Sequence, residues 1–126
     1  MQTETSSFIA ILGISDNEDR YSYKAYKKLL ENGYKNLIGI TPKNISLPAI
    51  ETVKTLAEIK KPIHTLTIYL SHDKLDDLTE SIIKLSPKRI IFNPGTENEK
   101  LIKKVTSHNI EIIRGCTLVL LSTDQF

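Results

Sequence analysis

Short apolar runs rich in Ile and Leu alternate along this chain with stretches whose apolar residues recur every three or four positions. Phe8-Ile9-Ala10-Ile11-Leu12, stopped by Gly13, has the continuous apolar character of a strand buried on both faces. A polar loop from Asp16 to Arg20 follows. Tyr23, Tyr26, Leu29 and Leu30 then line one face of a helix predicted over Tyr21 to Asn32, with Gly33 as its left-handed stop. Leu37 to Ile40 reads as a second strand, closed by Thr41-Pro42. Pro48 interrupts the next stretch, in which Ile50 to Val53 reads as a short extended piece and Thr55 to Ile59 as one helical turn.

The remaining pattern repeats this alternation. Ile63 to Leu70 is rich in β-branched residues and predicts a third strand. Ser71 stands where an N-cap belongs, ahead of a helix face of Leu75, Leu78, Ile82 and Leu85 that Pro87 ends. Ile90-Ile91-Phe92 is a fourth strand with Asn93-Pro94-Gly95 as its exit turn. Thr96 or Asn98 caps a helix carrying Leu101, Ile102 and Val105, and Ile110 to Ile113 is a fifth strand. The apolar tail Leu118 to Leu121 has no assigned type.

Strands that alternate with helices make right-handed crossovers, so the order predicts an α/β, Rossmann-like three-layer domain. Its parallel sheet has five strands, or six. The 126 residues fit one domain spanning 1–126. Composition narrows the class. A hydrophobic fraction of 40% supports a core, and a net charge of +2 with 25% charged residues argues against a dedicated nucleic-acid binder. No apolar run approaches the roughly 20 residues that span a bilayer. The polar start from Met1 to Ser7 lacks signal-peptide character, and Cys116, the one cysteine, builds no internal disulfide. A cytoplasmic protein away from membranes is the expectation.

In open α/β sheets ligands bind beyond the carboxyl ends of the strands, which draws attention to the loops after each one. Gly13-Ile14-Ser15 opens such a loop. Glycine admits a phosphate close to the backbone, and the Ser15 hydroxyl and nearby amides can donate to it; an ordinary strand-to-helix turn reads equally well, because G-x-G-x-x-G is absent. After the second strand an NAD site usually has an acidic residue for the ribose. Here stand Thr41, Pro42 and Lys43, and a lysine suits a ribose phosphate, which places coenzyme A ahead of NADP and both ahead of NAD. A solvated surface lysine is the plainer reading of Lys43. Asn93, Pro94 and Gly95 set a tight turn beside the same crevice, whose plainer reading is a helix connection. His64, His72 and His108 lack metal-ligand spacing, no catalytic set is evident, and Cys116 reads first as a small buried residue.

The segment Ile9 to Ser15, with Arg20, Ser22 and Tyr23, resembles the opening of the small stand-alone CoA-binding proteins, which are similar to the CoA-binding domain of the succinyl-CoA synthetase alpha subunit. Thr41-Pro42-Lys43 is similar to that family's Asn-Pro-Lys segment, and Thr55-Leu56-Ala57-Glu58-Ile59 to its Ser-Leu-Ala-Asp-Ile stretch. Asn93-Pro94-Gly95 with Glu97-Asn98-Glu99 matches its Pro-Gly and Asn-Glu segment, and Gly115 to Val119 its cysteine-containing close. The resemblance implies a Rossmann fold with CoA phosphates at Gly13 to Ser15 and at the ends of strands two to four. The chain departs from it at Thr41, where asparagine is usual, and at Leu70-Ser71-His72, where relatives carry arginines.

The expected function is therefore binding of CoA or an acyl-CoA without self-contained catalysis, involving Gly13, Ile14, Ser15, Arg20, Tyr23, Thr41, Pro42, Lys43, Asn93, Pro94 and Gly95. Two rivals stand beside it: an NAD(P)-binding redox protein or sensor, and a ligand-free interaction module. In the last, the Leu118 to Leu121 tail would face a second copy or a partner protein.

Overall fold

The structure, a computed structural model, describes residues 3–126. Its centre is an all-parallel sheet of six strands: β1 (Ile9–Leu12), β2 (Leu37–Ile40), β3 (Glu51–Val53), β4 (Thr65–Ile68), β5 (Arg89–Phe92) and β6 (Glu111–Arg114). The spatial order is β3-β2-β1-β4-β5-β6. The expected α/β class and parallel sheet are therefore present, and the sixth strand is Glu51–Val53. Three residues at the sheet edge, one exposed and two half-buried, leave little hydrophobic signature; only pairing with β2 (Ile38 with Glu51, Ile40 with Val53) makes them a strand.

The helices are α1 (Tyr21–Glu31), α2 (Thr79–Leu85), α3 (Glu99–Thr106) and α4 (Thr117–Ser122). The apolar tail Leu118 to Leu121 thus belongs to a helix. The single helix expected after Ser71 is divided: His72–Leu78 is a 3-10 segment and α2 begins only at Thr79. Ser71 sits at its start but its side chain caps nothing. Asn98 Nδ2 ties this segment to the start of α3, donating to the His72 carbonyl (2.6 Å) and to Asp76 Oδ1 (2.9 Å). Of the two candidate caps there, Asn98 is the cap, accepting from the Leu101 amide at 3.0 Å, while Thr96 Oγ1 donates back to the Asn93 carbonyl.

Two cores flank the sheet, and the two-residue period of a strand sorts side chains between them. Ala10, Leu12, Ile38, Ile40, Ile90 and Phe92 face the layer of α2, α3 and a 3-10 turn at Leu56–Glu58. Ile9, Ile11, Leu37 and Ile91 face α1 and α4, where Tyr26 and Leu29 meet them. Each buried Ile, Leu or Phe side chain among them contributes about 1.5–3 kcal/mol. Tyr26, the larger of the helix's packing groups, keeps its hydroxyl bonded to the Pro48 carbonyl at 2.6 Å. No helix among the described residues is long and apolar enough to cross a membrane.

Candidate functional site

Strand order reverses direction between β1 and β4, and a reversal of this kind parts the loops at the carboxyl edge to leave a crevice. A cleft of about 760 Å³ lies there. Eight of the residues singled out in the sequence line it: Gly13, Ile14, Ser15, Arg20, Thr41, Pro42, Lys43 and Pro94. These come from the loops after β1, β2 and β5, which lie far apart in sequence.

The loop after β1 forms one wall. Gly13 has φ +92°, and a Cβ there would lie 3.0 Å from Leu70 Cδ2, so glycine meets both a backbone and a packing demand. Its amide and that of Ile14 both donate to the Ile40 carbonyl, at 2.9 and 3.3 Å. The first two amides of the expected phosphate loop are therefore spent on the sheet. Ser15 Oγ accepts from the Asn17 amide at 3.0 Å and keeps its proton to donate. Beyond the loop, α1 starts at an Arg20 N-cap with no side-chain cap bond and no acidic residue in its first turn. Its first amides, beside Arg20, Tyr21 and Ser22 of the cleft lining, have no intrahelical partner. Gly39 underlies this wall: a Cβ on it would stand 2.7 Å from Ile14 Cγ2, so only glycine lets Ile14 seat against β2.

The ends of β2 and β3 form the second wall. The Thr41 amide donates to the Val53 carbonyl (3.0 Å), and Thr41 Oγ1 accepts from the Lys43 amide (3.2 Å). Lys54 and Thr55 continue this wall, held by a capping box in which Glu58 Oε2 accepts from both their amides, at 2.7 and 3.0 Å. Those bonds, from Thr55 first and then Lys54, hold the Glu58 carboxyl below its ordinary pKa. Leu56 is buried beneath, and Leu70, Leu78 and Ser81 close the far side. Around the cleft stand the cations Arg20, Lys43, Lys54 and Lys74, with one carboxylate, Asp16. Among the described residues, none of these four cations is in an ion pair; the pairs present are Lys104–Glu80 and Arg114–Glu99.

Three sequence-selected residues lie apart from the lining. Asn93 is buried and its amide is fully engaged: Nδ2 donates to Thr67 Oγ1 (2.8 Å) and the Ile68 carbonyl (2.9 Å), and Oδ1 accepts from the Thr117 amide (2.8 Å). It ties β4, β5 and α4 together and so fixes Pro94 at the cleft. Gly95 has φ +88° and donates its amide to Glu97 Oε1 in an exposed turn. Tyr23 sits on the outer side of α1 with Lys24 and Lys27, edge-on to Tyr26, while its neighbour Tyr21 lines the cleft.

Sequence reasoning passed over Tyr69, Lys54, Lys74 and Gly39. Tyr69 is among the residues lining the cleft, and burial of its hydroxyl pushes the pKa up to about 12. The hydroxyls of Thr67 and Thr117 lie close enough to moderate that rise without meeting hydrogen-bond geometry with it. A signal for Lys54 was available, because Thr55-x-x-Glu58 is the spacing of a capping box and orders the residue just before it.

This geometry defines an α/β protein with a cationic cleft at its topological switch point. The chain belongs to the CoA-binding domain family, whose model matches residues 7–122. A crystal structure of an uncharacterized protein superposes with a TM-score of 0.88 at 33% identity, covering 96% of this chain and 98% of that one. The uncharacterized protein YneT of Bacillus subtilis is 26% identical over 97 residues, which are 77% of this chain and 71% of the relative. The dinucleotide-forming acetyl-coenzyme A synthetase 1 of Ca. Korarchaeum cryptofilum shares the fold (TM-score 0.75, 19% identity). There the match covers 86% of this chain and 25% of the synthetase.

Proposed function

We propose that this chain is a single-domain module that binds coenzyme A, free or acylated, in the switch-point cleft, without self-contained catalysis. The observation that carries the reading is the cleft itself, with four cations and one carboxylate in its lining and, among the described residues, none of those cations within ion-pair distance of a carboxylate. Membership of the CoA-binding domain family supports the choice of ligand.

In this reading the pyrophosphate lies against Ser15, Arg20 and the first amides of α1, where charge-assisted bonds and the helix dipole favour an anion. Gly13 and Ile14 shape that wall, since their amides are committed to Ile40. Lys43, at the end of β2, pairs with the ribose phosphate. Pro42 and Pro94 are the apolar sides, and Asn93 holds Pro94 in place through its three bonds. Tyr23 and Gly95 support the α1 and β5 ends from outside the lining.

Calorimetry with CoA, dephospho-CoA, NAD and NADP side by side tests the reading. Selective CoA binding is the expected result; binding of NAD or NADP would make this a redox protein, and silence from all four would favour an interaction module. Lys43→Ala is expected to weaken CoA about tenfold, the worth of one charge-assisted contact, and to spare dephospho-CoA. Equal losses for both ligands would remove Lys43 from the ribose phosphate.

A further inference from the structure

We infer that Lys54 is a second specificity-determining cation, which grips the ribose phosphate jointly with Lys43 and is positioned by Glu58; this rests on the CoA reading above. The cations of the cleft divide by the strands that deliver them. Arg20 follows β1, and Lys74 lies in the 3-10 segment after β4. Lys43 and Lys54 follow β2 and β3, which are neighbours in the sheet.

That neighbourhood is tightly built. The Thr41 amide is bonded to the Val53 carbonyl, so the chain leading to Lys43 and the residue before Lys54 are cross-linked at the point where both lysines leave the sheet. Lys43 is steadied by its amide bond to Thr41 Oγ1, and Lys54 by its 2.7 Å amide bond to Glu58 Oε2. The capping box turns the chain sharply after β3 and keeps Lys54 in the cleft lining. Both lysines are exposed and, among the described residues, neither lies within ion-pair distance of a carboxylate, though the Glu58 charge acts on Lys54 from further off.

A phosphomonoester carries close to two negative charges at neutral pH and has three acceptor oxygens, so it is matched by two ammonium groups better than by one. A pyrophosphate diester link, already supplied by Arg20, Ser15 and the α1 amides, does not require them. CoA has both kinds of group, and dephospho-CoA lacks the first. The cleft therefore separates into a diphosphate side at α1 and a phosphomonoester side at β2–β3.

The experiment measures CoA and dephospho-CoA affinities for the wild-type chain, Lys54→Ala, Lys54→Arg, Lys43→Ala and the double lysine variant, with thermal melts to confirm folding. Lys54→Ala is expected to weaken CoA about tenfold and leave dephospho-CoA unchanged, with recovery in Lys54→Arg. In the double variant the preference for CoA over dephospho-CoA should disappear. Glu58→Ala should lower the CoA preference on its own but add nothing in the Lys54→Ala background, which a purely structural role would not produce. If the wild type prefers CoA and Lys54→Ala keeps that preference, or loses affinity equally for both ligands, the inference is overturned while the CoA reading stands. A wild type that binds neither ligand overturns both.

Discussion

The two ends of the sheet treat positive charge in opposite ways. At the carboxyl end, Arg20, Lys43, Lys54 and Lys74 ring an open cleft and, among the described residues, pair with no carboxylate. At the amino end one cation, Arg89, starts β5 and is 6% exposed. Its Nε donates to Thr65 Oγ1 at 2.7 Å, its guanidinium lies 4.5 Å over the Phe126 ring, and Nη2 is buried without a hydrogen-bond partner. Burial lowers its pKa, with the Glu111 and Tyr34 charges opposing that. Arg89 is absorbed by packing, whereas the four cations of the cleft stand exposed at the carboxyl edge. The difference follows from topology: crossovers from β1 and β4 leave in opposite directions and part the loops only at the carboxyl edge.

The largest perturbation expected of the cleft end is Gly39→Ala. The new Cβ would meet Ile14 at 2.7 Å, and because Ile14 is buried beneath the β1 loop, something must shift. Overpacking of this kind costs about 1–3 kcal/mol. A lower melting temperature together with weakened CoA binding is expected; a variant that melts and binds as the wild type does would show that the loop is not seated on β2. Arg89→Ala probes the other end. It removes the stack on Phe126 and the bond to Thr65, and should cost about 2 kcal/mol in a denaturant titration. CoA affinity should not move, and a loss there would join the two ends functionally.

A smaller effect is expected from pH. His64 Nδ1 lies 2.7 Å from Thr65 Oγ1, the same hydroxyl that accepts from Arg89, so the threonine's own proton is free for the imidazole. Burial first, then the Arg89 and Lys88 charges, lower the His64 pKa, partly offset by Glu111. The unfolded chain therefore takes up this proton before the folded one does. The stability it contributes is complete above the ordinary histidine range and is lost as pH falls through the depressed folded value. Melting curves between pH 7 and pH 5 should show a steeper loss for the wild type than for His64→Gln. Parallel losses would mean that His64 titrates alike in both states.

Much of this was legible in the chain. The runs at Ile9–Leu12, Leu37–Ile40 and Arg89–Phe92 appear as strands because both their faces are buried, which makes the sequence continuously apolar. The cleft loops announced themselves through Gly13, Ser15, Thr41-Pro42-Lys43 and Pro94, residue types that turns and anion sites favour. Ile50 to Val53 was legible only as a short extended piece, since an edge strand of three residues needs its partner to define it. Lys54 and Lys74 look, one by one, like any solvated lysine.

The sequence by itself determined where most strands and helices fall, that the sheet is parallel, and which loops line the cleft at its carboxyl edge, because these depend on local periodicity and residue type. It also carried the family resemblance that the match over residues 7–122 bears out. Only the tertiary structure decided which polar groups remain available. The Gly13 and Ile14 amides are consumed by the Ile40 carbonyl, and the Asn93 amide by Thr67, Ile68 and Thr117. Each of these partners comes from another segment of the chain, and a buried polar group takes the partner that three-dimensional packing brings to it.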